Sequence, residues 1–420
     1  MNDKMLFACG LLVSAATVSA AELAAPLAFE VPPLLRTYAG AEVKTLQDWE
    51  TVRRPEIRER VLTRMYGKRP QAAERPAVSF AAAEPDKTML DGRALRKRVR
   101  ITSKGPYGDH SFVVTAFIPK AAKPVGSFVL ICNRSAIENL DPERKRKSGF
   151  WPVEEIVARG YAAIAFANAD VAPETYNPAT AFLSGVFPCF ERPQDRTDES
   201  WGTLSAWAWG ASRVLDWIET EPTLDARHVA VVGHSRGGKT SLLAGATDER
   251  FAMTCVNDSG CGGAKLAALD MPESEYYAIF LASRVTYWFC GNFQKLCMNH
   301  DRPPPGLTAW KDRYKALLEP LGFDQHQWAA LVAPRLLAIA SATDDPGAGP
   351  RGEFETAHLA SPAWELYGKS GLVGTKFPKP DAPLQEGFVS YHLRTGEHNL
   401  TPYDWACYMD FADRHHWPHR

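Results

Sequence analysis

The stretch His228-Val229-Ala230-Val231-Val232-Gly233-His234-Ser235-Arg236-Gly237-Gly238-Lys239-Thr240 decides the fold. His228 to Val232 is a short, largely apolar run that reads as a buried strand, and Gly238 to Ala246 reads as a helix. Between them lies Gly233-His234-Ser235-Arg236-Gly237, a G-x-S-x-G sequence in the strand, turn and helix context that raises a nucleophilic serine. A serine in so tight a turn needs neighbours without obstructing side chains, which the glycines supply. The helix start also brings unsatisfied N–H groups and the positive end of the macrodipole to Ser235. An ordinary glycine-rich turn is the bland alternative. Gly233 to Thr240 also spells G-x-x-x-x-G-K-[ST], the phosphate-binding loop. Two features count against a nucleotide: a cleavable leader at the amino terminus, and downstream residues that complete an acyl-transfer triad.

Working outward, similar short runs recur at Ser127 to Cys132, Ala162 to Phe166, Ala252 to Val256 and Leu336 to Ala340. Amphipathic segments, such as Leu204 to Glu219, separate them, which predicts a mainly parallel sheet covered by helices on both faces. Ala94 to Ile101 and Phe112 to Ile118 alternate and predict antiparallel strands. The fold class expected is α/β, an α/β-hydrolase three-layer sandwich. Residues 22 to about 90 form a Pro-rich extended lead-in with a helix over Arg53 to Leu62. Pro303 to Pro305 marks a loop inside a helical insertion expected over residues 262–332.

In an α/β-hydrolase the acid and then the histidine follow the serine in the chain. His398 fits: it comes after a strand-like Phe388 to Leu393 and before a final helix over Tyr403 to Arg414. Two acids compete. Asp258 follows the strand after the elbow helix, and Asp345 follows the next one; either can orient the imidazole through Nδ1, and position alone does not choose.

Composition sets the remaining limits. The chain has 420 residues, 45% hydrophobic and 23% charged, as a soluble globular protein with a large core has. Forty-eight Lys and Arg oppose 49 Asp and Glu, and the basic runs Arg96 to Arg100 and Arg144 to Lys147 are short, so nucleic-acid binding has little electrostatic basis. Lys4, the apolar run Met5 to Ala16 and Val18-Ser19-Ala20 read as a signal peptide over residues 1–20, too short to remain as a membrane span. Residues 21–420 are then expected to form one catalytic domain, monomeric, and secreted or periplasmic. Of eight cysteines the leader removes Cys9, and in an oxidising compartment the odd remainder predicts at least one free thiol, with Cys261 and Cys290 the expected pair. No C-x-x-C occurs, and His415, His416 and His419 read as cations closing the last helix rather than as metal ligands.

These segments together resemble the glucuronoyl esterases, carbohydrate esterases with an α/β-hydrolase fold. The likeness is carried by Trp151 to Asp170, Trp201 to Gly210, Gly233 to Lys239, Ala246 to Ala252 and Asn257 to Gly263. Trp288 to Phe293, Ala333 to Arg335, Pro350 to Phe354 and Tyr391 to His398 complete it. The resemblance implies Ser235 as nucleophile, His398 as base and Asp258 at the usual acid position, which is the preferred assignment; Asp345 occupies a second acid position used by some bacterial members. It implies Arg236 as an oxyanion-stabilising arginine, and Lys239 and Glu275 as ligands of sugar hydroxyls. Trp288 is either an aromatic sugar platform or, with Phe289 and Phe293, part of the core. One departure is Asp345-Pro346-Gly347-Ala348-Gly349-Pro350 where members read Asp-x-Trp-Ala-Asp-Pro. Gly347 thus stands where an aromatic would hold substrate, and sugar affinity is at stake rather than the chemistry.

The expected activity is hydrolysis of esters between the (4-O-methyl-)glucuronic acid of xylan and lignin-type alcohols, without metal or organic cofactor. An acetyl or aryl esterase on the same scaffold, or a non-catalytic carbohydrate-binding protein, are the alternatives.

Overall fold

The computed structural model describes residues 30–175, 177, 180–269, 286–298 and 321–419. Nine strands form one sheet: β1 Ala77–Met89, β2 Ala94–Gly105, β3 Gly108–Pro119, β4 Val125–Cys132, β5 Ala162–Ala167, β6 Leu224–His234, β7 Met253–Asn257, β8 Leu336–Ala342 and β9 Val389–Arg394. Their order is β1-β2-β3-β5-β4-β6-β7-β8-β9. The first three and β5 pair antiparallel, and β5 through β9 run parallel across the rest of the sheet.

Strand alternation explains why helices cover both faces. Val129, Ile131, Val229, Val231, Leu337 and Ile339 join one core with the helices Thr203–Ile218, Arg236–Thr247 and Pro350–Ala360. Their immediate neighbours Phe128, Leu130, Ala230, Val232, Leu336 and Ala338 join the other, against Val153–Arg159 and Pro402–Arg414. Successive side chains leave a strand on opposite faces, so a continuously apolar strand requires a core on each side. This is the α/β-hydrolase sandwich. β4 lies between β5 and β6, so the chain winds one way from it and then the other. The crevice beyond the carboxyl ends at such a reversal is where open α/β sheets bind ligands.

Three readings need correction. β1 was hidden in the Pro-rich lead-in: it is an alanine-rich, largely exposed edge strand with irregular register around Pro85, a position where a missing N–H is tolerated. Thr203–Ile218 is not amphipathic in place, since every residue except Asp216 is buried. The lead-in covers its outer side, where the Trp209 indole donates to Ala73 O at 2.8 Å and Ser205 Oγ to Tyr66 O at 3.0 Å. Cys261 and Cys290 do not share a disulfide; both are buried thiols, and Cys290 Sγ donates to Thr63 O at 3.6 Å.

The basic runs are paired. Arg96 meets Glu84 and Glu143, Arg98 meets Glu84, and Arg144 lies 2.7 Å from Glu154. His415 Nε2 donates to Gly387 O at 3.1 Å and His419 stacks on Tyr161. The leader, Glu275, the Pro303 to Pro305 loop and much of the expected insertion lie outside the described residues.

Candidate active site

Ser235 follows the last residue of β6 with φ 56° and ψ −124°, a backbone conformation that L-residues rarely adopt. Gly233 makes the turn possible: a Cβ there would lie 1.9 Å from Gly237 O. The Ser235 N–H donates to Asn257 O at 2.9 Å, which ties the elbow to the end of β7. A non-glycine residue held at positive φ costs about 1–3 kcal/mol and persists where its surroundings fix it, as they do here.

The histidine arrives from the other end of the chain. β9 ends at Arg394, and the loop behind it brings His398 to a cavity of about 600 Å³ whose wall also contains Ser235 and Arg236. Nδ1 of His398 lies 2.5 Å from Oδ2 of Asp345, which leaves Nε2 for proton exchange. Asp345 is itself buried and oriented, since the Ala348 N–H donates to its Oδ1 at 3.1 Å. A Cβ at Gly347 would come within 3.3 Å of the same oxygen, so the missing aromatic leaves that carboxylate room.

Asp258, the preferred acid, sits differently. Its Oδ2 lies 3.3 Å from Arg394 Nη2 and 3.8 Å from His234 Nδ1, and the imidazole of His398 bonds to the other carboxylate. The strand order gives the reason: β8 is the direct neighbour of β9, whereas β7 lies one strand further away. Asp258 is still close, for its carboxylate, that of Asp345 and a His398 nitrogen fall within 4.8 Å of one another. Burial, followed by the nearby carboxylates of Glu353, Asp404 and Asp345, pushes the Asp258 carboxyl well above its usual range, against the pull of Arg394.

Arg236 Nη2 donates to Asn133 O at 2.8 Å, and its Nε lies 3.1 Å from Glu174 Oε2. Glu174 Oε1 in turn accepts the Trp288 indole N–H at 3.0 Å. Trp288 is therefore a buried support behind Glu174 rather than an open platform, and it belongs to the core cluster with Phe289 and Phe293. Lys239 is fully buried, with its ammonium donating to Ser259 O at 2.5 Å and lying 5.8 Å from the Trp288 ring. Neither Lys239 nor Trp288 is among the described residues that line the cavity.

Four residues here were not anticipated: Arg134, Glu174, His234 and Arg394. His234 packs its ring 4.4 Å from that of His398. Its Nε2 lies 3.3 Å from Arg134 Nη2 and its Nδ1 2.6 Å from Asn257 Oδ1. Arginine can only donate, so Nε2 accepts and Nδ1 carries the proton. Burial, then the charge of His398, pushes this imidazole well below its usual range and keeps it neutral beside the His398 ring. Its place inside the elbow was a signal; Glu174, in an irregular segment, gave none.

Residues 149–304 match the family described as glucuronyl esterase, fungi. The chain is 32% identical over 416 residues to carbohydrate esterase MZ0003 from an unknown prokaryotic organism, covering 92% of this chain and 90% of that protein. The solved glucuronoyl esterase from Solibacter usitatus superposes with a TM-score of 0.78 at 32% identity, covering 93% of this chain and 98% of that one. The chain belongs to the glucuronoyl esterase family. A fungal relative, the 4-O-methyl-glucuronoyl methylesterase of Phanerochaete carnosa, is 31% identical over 216 residues, 48% of this chain and 49% of that enzyme. The stretch shared with this fungal glucuronoyl esterase is thus about half of either protein.

Proposed function

We propose that this glucuronoyl esterase hydrolyses the ester between the carboxyl group of a glucuronic acid and an alcohol, with Ser235, His398 and Asp345 as its triad. One observation carries the assignment: the strained Ser235 elbow and the Asp345-paired imidazole of His398 open onto one cavity. Ser235 Oγ attacks the ester carbonyl and passes its proton to His398 Nε2; Asp345 stabilises the imidazolium. Arg236 and the N–H groups of the first helical turn receive the oxyanion. The alcohol leaves with the proton from His398. Water, deprotonated by the same nitrogen, then releases the glucuronic acid and restores Ser235.

The cavity wall supports a sugar acid. Asn133, Ser135, Glu138, Asn139 and Asn168 offer donors and acceptors, and Ala169 is the single apolar residue among the described lining. A polar wall suits hydroxyl groups better than the aryl esters of the rival reading. Xylan-borne (4-O-methyl-)glucuronate joined to a lignin-type alcohol is the substrate class this reading takes. It also takes residues 1–20 as an export leader and 21–420 as one monomeric catalytic domain, secreted or periplasmic. No helix among the described residues is long and apolar enough to cross a membrane.

Release of glucuronic acid from its benzyl ester tests the proposal. Wild type should cleave it in preference to acetylated xylan and aryl acetates, and Ser235→Ala and His398→Ala should each abolish turnover while still binding the ester. Preference for acetyl esters, or turnover by Ser235→Ala, would remove the reading.

A further inference from the structure

Arg394 is the last residue of β9, four positions before His398, and it is 3% exposed. Its guanidinium does not reach the cavity. Nη2 donates to Glu397 O at 2.5 Å and to Asn399 O at 2.6 Å, the two carbonyls that flank His398 in the chain. Nη1 reaches Thr395 O at 3.5 Å. The loop therefore turns its peptide oxygens inward around one buried cation. Gly396 allows the wrap: its φ is 122°, and a Cβ there would lie 3.0 Å from Arg394 Nη1.

The cation is in turn fixed from below. Nε donates to Asp404 Oδ2 at 3.0 Å, and Asp258 Oδ2 lies 3.3 Å from Nη2. Asp404 is anchored by the helix it caps, accepting from Thr401 N at 2.8 Å, and by His392 Nε2 at 2.9 Å. The two Nη2 hydrogens are taken by the carbonyls, so Asp258 acts on Arg394 mainly as a countercharge. A side-chain donor with five N–H groups in a rigid fork can hold several loop oxygens at once; a lysine ammonium cannot keep that geometry.

From this arrangement we propose that Arg394 is a positioning residue for the base: it sets the loop so that the His398 ring meets Asp345 on one side and Ser235 on the other, with Asp258 serving it as countercharge. The proposal rests on His398 being the base of the reaction above. A base displaced by about 1 Å can lose on the order of 10²-fold in rate, without a matching change in substrate binding.

Steady-state hydrolysis of benzyl glucuronate by Arg394→Ala, Arg394→Lys and His398→Ala separates the claims. Arg394→Ala should keep the wild-type circular dichroism and a KM within threefold, and lose on the order of 10²-fold in kcat. Added ethylguanidinium should recover part of that loss, and an equal concentration of ethylammonium should not. Arg394→Lys should recover little. If Arg394→Ala fails to fold, Gly396→Ala decides: it keeps both ion pairs and disturbs only the wrap, and should lower kcat at least tenfold. A folded Arg394→Ala with wild-type kcat, rescue by ethylammonium as good as by ethylguanidinium, or an unaffected Gly396→Ala would each overturn the proposal. Full activity in His398→Ala would instead overturn the base assignment beneath it.

Discussion

The imidazole of His398 and the carboxylate of Asp345 meet at 2.5 Å, from loops that follow the adjacent parallel strands β9 and β8. The pair is a direct consequence of strand order. In the proposed triad Asp345 fixes the tautomer with Nδ1 protonated and balances the charge that the ring gains when Ser235 is deprotonated.

Asp345→Asn should therefore lower kcat by on the order of 10³-fold with little change in KM, since the amide removes the charge but keeps the shape. Asp258→Asn, which leaves the His398–Asp345 pair intact, should cost on the order of tenfold through its contact with Arg394. Initial rates with benzyl glucuronate distinguish them, and the reverse ranking would return the triad to Asp258.

Much of this site was readable because its chemistry has short-range signatures. The elbow is written in five consecutive residues, and the five parallel core strands before β9 are continuous apolar runs, which local periodicity detects. The choice between Asp258 and Asp345 was not readable, since both follow a strand and the decision lies in which strand neighbours β9. β1 escaped because an exposed edge strand needs no apolar alternation. Arg394 and Glu174 escaped for a related reason: their partners are backbone carbonyls and groups from distant segments, which sequence spacing does not encode.

Acid stability should report on a residue remote from the cavity. His326 is fully buried, with Nε2 donating to Pro32 O at 2.9 Å. Burial pushes its pKa down from an ordinary 6.5 to about 3, against the raising effect of that bond. Between those values the unfolded chain binds a proton that the native state refuses, so stability falls as pH falls through the window and is fully present above 6.5. The contribution lost from pH 7 to pH 4.5 is about 2–3 kcal/mol. Urea unfolding followed by tryptophan fluorescence should show that His326→Gln reduces the pH 7 to pH 4.5 difference by about this amount; an unchanged difference would place the acid sensitivity elsewhere.

The elbow should tolerate no side chain at Gly233. A methyl group there would overlap Gly237 O, at 1.9 Å; its position is fixed by the backbone and the carbonyl is backbone, so no rotamer can relieve the clash. Gly233→Ala should be destabilised by more than about 4 kcal/mol or fail to accumulate as folded protein. Gly368, at positive φ but with open space around it, provides the contrast: Gly368→Ala should cost only about 1 kcal/mol. Similar losses of melting temperature in the two variants would mean that the close approach to Gly237 O does not govern the turn.

Arg236 and Glu174 should behave as one unit. The guanidinium is held between Asn133 O and Glu174 Oε2, and the carboxylate is itself fixed by the Trp288 indole, so Glu174 determines where the cation points. Removing an oxyanion donor costs on the order of 10²- to 10³-fold in kcat, which is the expectation for Arg236→Ala. Glu174→Gln keeps the hydrogen bond from Trp288 but surrenders the charge that orients Arg236, and should cost on the order of tenfold. If Glu174 acts only through the arginine, adding Glu174→Gln to Arg236→Ala should lower kcat no further, because the group it positions is already gone. Independent, multiplying losses in the double variant would instead mean that Glu174 touches the substrate itself.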